Sequence, residues 1–158
     1  MSLLPLFEWL GRTSLGAFMQ QSGYAFPMVE MVHLLALAIL GGAILIIDLR
    51  LLGLGLKSLS AERLAQELTP YLTGCLIASA VSGLLLLSGE PLKCYYNLAF
   101  RLKMLFLAVA VLFYFVVQKR IFQFEREGRR ELLQKLTGVV SLLLWLAVGL
   151  AGRAIGVI

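Results

Sequence analysis

FPMVEMVHLLALAILGGAILIIDLRLL, residues 26–52, is an apolar run long enough to cross a bilayer, and near its start stand Glu30 and His33, the chain's only histidine. A spanning helix needs roughly 20 mostly apolar residues, since each rises about 1.5 Å against a hydrocarbon core of about 30 Å. Three more stretches meet that length, so the expected spans are 27–49, 69–89, 99–118 and 137–157. The whole chain has 158 residues, 60% hydrophobic and 15% charged, with mean hydropathy +0.91. Such a composition suits lipid rather than a water-facing surface. The expected fold class is all-α, an integral membrane four-helix bundle forming a single transmembrane domain over residues 1–158.

The opening MSLLPLFEWLGRTSLGAFMQQ has no basic n-region, and Pro5, Glu8 and Arg12 interrupt its apolar run. That pattern predicts an N-terminal interfacial segment with Leu3, Leu4, Phe7, Trp9 and Leu10 toward lipid, rather than a signal sequence. With four spans both termini and the 89–99 loop share one side, which carries five basic residues: Arg12, Lys93, Arg101, Lys103 and Arg153. The other side carries nine: Arg50, Lys57, Arg63, Lys119, Arg120, Arg126, Arg129, Arg130 and Lys135. The bias predicts both termini on the periplasmic side of a bacterial inner membrane, with the two basic loops in the cytoplasm. The net charge of +5 then reflects topology and attraction to anionic lipid headgroups. No nucleic-acid partner is expected, because no interleaved basic and aromatic groove is present.

Cys75 falls inside the second span and Cys94 in an outer loop, depths that argue against a disulfide. Covalent haem attachment and nucleotide chemistry are not indicated, for want of a CxxC, CxxCH or Walker-type loop.

Local signals divide the chain further. Ser22, Gly23 and Pro27 suit the start of the first helix, and Gly53 and Gly55 its end. Ser60 is a natural N-cap for a short surface helix ending before Pro70. The stretch QKRIFQFEREGRRELLQKL continues the third helix past the membrane, breaks near Gly128 and restarts before Leu136; its charges read as a solvated edge. No internal repeat supports a transporter.

Residues three, four, seven or eleven apart share a helical stripe. On the first span that rule groups Glu30, His33, Leu37, Gly41, Ile44 and Asp48, polar at both ends, with Ala36 beside them. The second offers Cys75, Ser79, Ser82 and Gly83; the third Lys103, Leu107, Ala110, Tyr114 and Gln118; the fourth Ser141, Trp145, Gly149 and Arg153. Counting rise per residue puts Glu30, His33, Lys103 and Arg153 in the outer leaflet. A charge at the centre of a span costs roughly 2.5–3.5 kcal/mol, less near the interface. Arg153 and Lys103 can therefore snorkel to headgroups, or face inward for a purpose. A buried imidazole can ligate a metal or haem, relay protons or simply hydrogen-bond across helices.

His33 early in the first span, glycines two turns on, Arg50 at the inner end (HLLALAILGG, DLRLL) and Lys103 just inside the third span (AFRLKMLFLAVAVLFYF) together resemble a superfamily of small bacterial membrane proteins. It holds the four-helix haem-containing protoporphyrinogen oxidases, the membrane module of copper-resistance D proteins, and an uncharacterised branch in which an acid and a histidine precede DLRLLG. The resemblance covers all four spans. It implies haem b on His33 and a functional role for Lys103. Where the oxidases carry a further histidine, about three turns after that lysine, this chain has Tyr114, a departure that argues against the oxidase assignment and against a two-histidine haem. Copper is the other metal considered, through Met28, Met31, His33 and Met104, but no dense Met/His cluster accompanies them.

The expected function is a small inner-membrane redox protein with a b-type haem in the outer leaflet. His33 is its expected iron ligand, Glu30 the hydrogen-bond partner of the second imidazole nitrogen or a proton carrier, and Lys103 and Arg153 the cations for propionates or a quinone-like redox partner. Tyr114 is counted with these cofactor-binding residues, and Tyr95 and Tyr96 border the mouth. The alternative is a cofactor-free accessory subunit of a larger respiratory or photosynthetic complex, packed through its Gly41/Gly42 and Gly149/Gly152 surfaces; the expected protein partners are such a complex or further copies of this chain in a homo-oligomer.

Overall fold

The computed structural model describes residues 4–55, 59–127 and 131–155, with the backbone alone over 118–127. The described chain is helical throughout, without strands: α1 (Leu4–Gly11), α2 (Ser14–Gln21), α3 (Ala25–Leu51), α4 (Ala61–Gly89), α5 (Pro91–Tyr96), α6 (Leu98–Glu127) and α7 (Glu131–Ala154). Four helical stretches are long and apolar enough to cross a membrane: α3, α4, α7 and the Leu98–Val117 part of α6.

Consecutive long helices pair. α3 packs along α4, α6 along α7, and the two pairs meet mainly where α3 crosses α7. This connectivity puts the start of α3 and α6 and the close of α4 and α7 at one end, with α1, α2 and α5. We call it the terminal end; the opposite one, near the Gly53–Leu59 connection, is the far end.

The α3–α4 seam holds the core. Leu40, Ala43, Ile44, Ile47 and Leu51 interlock with Ala61, Leu64, Ala65 and Leu72, with Leu37, Leu76, Tyr114 and Trp145 packed around them. Lipid tails are as apolar as leucine, so this seam is held by close van der Waals fit and interhelical hydrogen bonds rather than by escape from water. The many exposed leucines and valines, such as Leu34, Leu84, Leu105 and Leu143, are suited to hydrocarbon.

Several expected local signals are realised. Ser22 Oγ accepts from the Ala25 N–H at 3.2 Å, and Ser60 Oγ from the Arg63 N–H at 3.1 Å. After α3, Gly53 and Gly55 take φ of +77° and +116°, a region open to glycine at little cost. Asn97 caps α6, its Oδ1 accepting from the Ala99 and Phe100 N–H groups at 2.8 and 3.2 Å. Its amide also donates to the Ile155 carbonyl at 3.4 Å, tying the start of α6 to the end of α7.

The structure corrects two expectations. The short surface helix expected before Pro70 and the second span are one continuous helix, with Pro70 inside it. Proline removes one backbone donor there, but Pro70 is exposed and Ala61, Leu64, Ala65 and Leu72 on either side belong to the same packed seam. Second, Phe7 turns inward, with its ring edge-on to Tyr95 at 5.3 Å and Phe100 at 6.5 Å. Leu4 and Leu10 are half-buried, Leu6 and Trp9 are exposed, and Leu3 lies outside the described residues. The segment is thus a pair of short helices docked on the bundle, with buried Met19 of α2 under Gly89. α7 begins at Glu131, in agreement with a helix that restarts before Leu136 and runs on into the fourth span. The expected break at Gly128 lies outside the described residues, as do Lys57 and the side chains of Gln118, Lys119, Arg120 and Arg126.

The α3–α7 crossing is set at Gly138. A Cβ there would lie 3.0 Å from the Asp48 carbonyl oxygen and 3.3 Å from Leu51 Cβ. Gly138→Val should therefore separate the two hairpins and destabilise the bundle by about 1–3 kcal/mol, as overpacking usually does. Unfolding in mixed micelles checks this; unchanged stability would show that the crossing tolerates a wider spacing.

Candidate functional site

The polar side chains of the spans gather at two levels. Toward the terminal end, α3 carries His33 at its third turn, about 12 Å from the start of the helix at 1.5 Å per residue. Its ring is 9% exposed and faces α4. There Ser79, Ser82 and Gly83 form one polar, small-residue face, so the ring can lie against the helix. A Cβ on Gly83 would stand 3.2 Å from His33 Cε1.

Hydrogen bonds with Ser82 and with the Ser79 backbone hold the ring against α4, and the Ser82 bond to Ala78 assigns the tautomer. Ser82 Oγ donates to the Ala78 carbonyl at 2.6 Å, which commits its only proton. Its oxygen then accepts from His33 Nδ1–H, the two atoms being 2.9 Å apart. A neutral imidazole protonated at Nδ1 carries its lone pair on Nε2, the nitrogen left for a metal, a haem iron or a proton.

Lys103 of α6 joins this level. Its Cδ, Cε and Nζ lie over Gly152 of α7, each 3.7–3.8 Å from where a Cβ there would be, and its ammonium is the charge that acts on the His33 ring. The glycine lets the long side chain lie flat across α7, half-buried. Cys94, on α5 beside the site, is a free thiol. Burial pushes its pKa up, Glu90 adds to the shift, and Lys93 and Lys103 oppose it. A thiol held protonated in this way is a packing group, not a nucleophile.

The structure does not bring the other expected residues to His33. Glu30 is exposed, one turn nearer the start of α3, and Ser82 occupies the imidazole nitrogen expected to face it. Arg153 is exposed at the close of α7, as a snorkelling arginine would be, and makes no ion pair with a described residue. Tyr114 lies about 24 Å down α6, at the far end. Its hydroxyl hydrogen-bonds with that of Thr69, while the Thr69 hydroxyl donates to the Ala65 carbonyl at 2.6 Å.

That second level surrounds Asp48 of α3, 2% exposed. Ser141 of α7 hydrogen-bonds with its carboxyl group, and Oδ2 has no hydrogen-bond partner. Beside it is a cavity of about 20 Å³ lined by Ile44, Ile47, Asp48, Ala65, Phe113, Tyr114, Val117 and Ser141. The periodicity placed Asp48 and Ser141 on inward stripes of their helices, but no spacing rule joined them, because the pairing depends on where α7 crosses α3. The same holds for His33 and Ser82.

No group of three or more His, Cys, Asp or Glu side chains among the described residues is arranged to hold a metal ion. A haem draws only one or two axial ligands from the protein, so its fit turns on His33. Searches of curated proteins and of solved structures returned no match. A family model described as a family of unknown function, DUF6644, matches residues 6–158. The match spans nearly the whole bundle, including both polar levels, and the chain therefore belongs to the DUF6644 family.

Proposed function

We propose that this protein binds a b-type haem through His33 Nε2 and works as a small redox protein of the bacterial inner membrane, with both termini on the periplasmic side. The observation that carries the reading is the 2.9 Å contact between His33 Nδ1 and Ser82 Oγ: with the Ser82 proton directed to the Ala78 carbonyl, we assign the ring proton to Nδ1 and the lone pair to Nε2, inside the membrane-spanning part of the bundle. A ligating histidine ordinarily donates its other N–H to a neighbouring acceptor, which orients the ring and raises its basicity. Ser82 supplies that acceptor here. Lys103 supplies the cation that a buried propionate or an anionic quinone-like partner would need. The donor set thus fits a haem with one protein histidine, and the resemblance of HLLALAILGG and AFRLKMLF to the haem-containing oxidases points the same way. When bound, such a haem supplies one-electron transfer. The rest falls to the chain: His33 coordinates, Ser82 orients, and Lys103 neutralises. The orientation rests on the excess of Lys and Arg at the far end.

The test is a reduced-minus-oxidised absorption spectrum of the detergent-purified protein, expressed with ample haem. Wild type should show a b-type spectrum that His33→Ala loses. Ser82→Ala should keep the spectral type but bind haem roughly 10- to 100-fold more weakly, the usual cost of removing a partner behind a metal ligand. A featureless spectrum from folded wild-type protein would sink the haem reading. The accessory-subunit reading would then lead, since the α6 span is the least covered of the four within the chain and has most surface to offer a partner.

A further inference from the structure

We infer that Asp48 is a proton-binding site, separate from the His33 level and built around the small cavity at the far end of the bundle. Three observations carry it. The carboxyl group is 2% exposed, inside a membrane-spanning helix, where an ionisable side chain is retained for a purpose more often than for stability. Its Oδ2 has no partner, although buried polar atoms almost always have one. The cavity it lines measures about 20 Å³, enough for a single water, which needs roughly 10–15 Å³ measured the same way.

The lining decides which occupant suits the carboxyl group. Apart from Asp48, only Ser141 and Tyr114 bring side-chain oxygens; the remainder is Ile44, Ile47, Ala65, Phe113 and Val117. A bare metal cation demands several ligands at once, six or more oxygens for calcium or magnesium and about four ligands for zinc, and would be undercoordinated. A proton needs one acceptor, and Oδ2 is that acceptor. Tyr114 does not compete to donate: Thr69 Oγ1 gives its proton to Ala65, so the Tyr114 O–H is the group that bonds to Thr69. The Ser141 hydroxyl and a water in the cavity are left to relay.

No described charge sits against the carboxyl group from any packed element. α4 presents Ala65, α6 presents Tyr114 and α7 presents Ser141. On α3 itself, Arg50 turns away, its Nε donating to the Leu59 carbonyl at 2.6 Å. Arg63 with Glu67 and Lys135 with Glu131 form exposed pairs of their own. Without a cation to hold it ionised, Asp48 takes a proton from water at Oδ2 and becomes a neutral acid; no electron moves. The cavity places this exchange about three turns from the start of α7 and about one turn from the end of α3, opposite the His33 level.

Infrared difference spectroscopy on the full chain in liposomes, stepped in pH, tests the assignment. Wild type should show a protonated-carboxyl C=O band that shifts in D2O and vanishes on alkalinisation. Asp48→Asn should lose it, His33→Ala should retain it, and Ser141→Ala should move its frequency. Retention in His33→Ala also keeps this result independent of haem. A wild type without the band at any pH, or an Asp48→Asn protein with the band unchanged, overturns the proposal. So does a band that disappears on replacing choline with sodium at fixed pH, which would make the cavity a cation site. Should Asp48→Asn fail to fold, Ser141→Ala and Tyr114→Phe remain, and a frequency unmoved in both overturns it equally.

Discussion

Gly83→Val is expected to abolish the haem binding proposed for His33 while leaving the far end of the bundle intact. Even a Cβ at this position would lie 3.2 Å from His33 Cε1, tighter than most side-chain contacts, so alanine requires the ring to give by a few tenths of an ångström. Valine adds two methyl groups on a stiff χ1. The imidazole then has to leave its place against α4, which breaks the 2.9 Å contact with Ser82 and re-aims Nε2. Overpacking of this kind costs about 1–3 kcal/mol, small enough for the rest of the seam to hold. The loss of haem should exceed the roughly 10- to 100-fold expected when only a supporting partner is removed, because the ligand itself moves. Titrating haem into the purified variant and into Gly83→Ala checks this. Wild-type binding by the valine variant would place the ligand somewhere other than His33.

Leu40→Ala should bring the largest loss of stability without touching either polar level. Leu40 is 3% exposed, in the α3–α4 seam between His33 and Asp48. Truncating it leaves a void between two long helices that are pinned to each other by the Ser82–His33 bond, with α3 held further by α7 at Gly138, so the walls have little freedom to close. Large-to-small changes at such positions cost about 2–5 kcal/mol. In a bilayer the loss comes mainly from forfeited van der Waals contacts, since lipid rewards apolar exposure as well as the protein interior does. Denaturant titration in mixed micelles should show the shift, while the proposed haem spectrum and Asp48 carboxyl band keep their positions. A change below about 1 kcal/mol would mean that the seam relaxes around the gap, the lower limit of such series.

The sequence by itself determined the all-α class and the four spans, because the bilayer imposes one rule: about 20 apolar residues whose backbone groups are satisfied internally. It also marked the caps at Ser22 and Ser60, the stop at Gly53 and Gly55, and the inward stripes that hold His33, Asp48, Ser82, Lys103 and Ser141, since each depends on residues a few positions apart. Only the tertiary structure decided what each polar group meets. Glu30 and His33 are neighbours along α3, yet the ring turned to Ser82 of α4, 49 residues away, while Glu30 stayed exposed. Tyr114 is spaced from Lys103 on one face of α6, yet the length of that helix put it with Asp48 and Thr69 at the opposite end. Pro70 read as a stop, yet the packing of residues on both sides against α3 carried the helix through it. In each case a local preference of about 1 kcal/mol, or about 3 kcal/mol for an interior proline, was set against several buried contacts between helices, and those contacts depend on how the helices are rotated and where they cross.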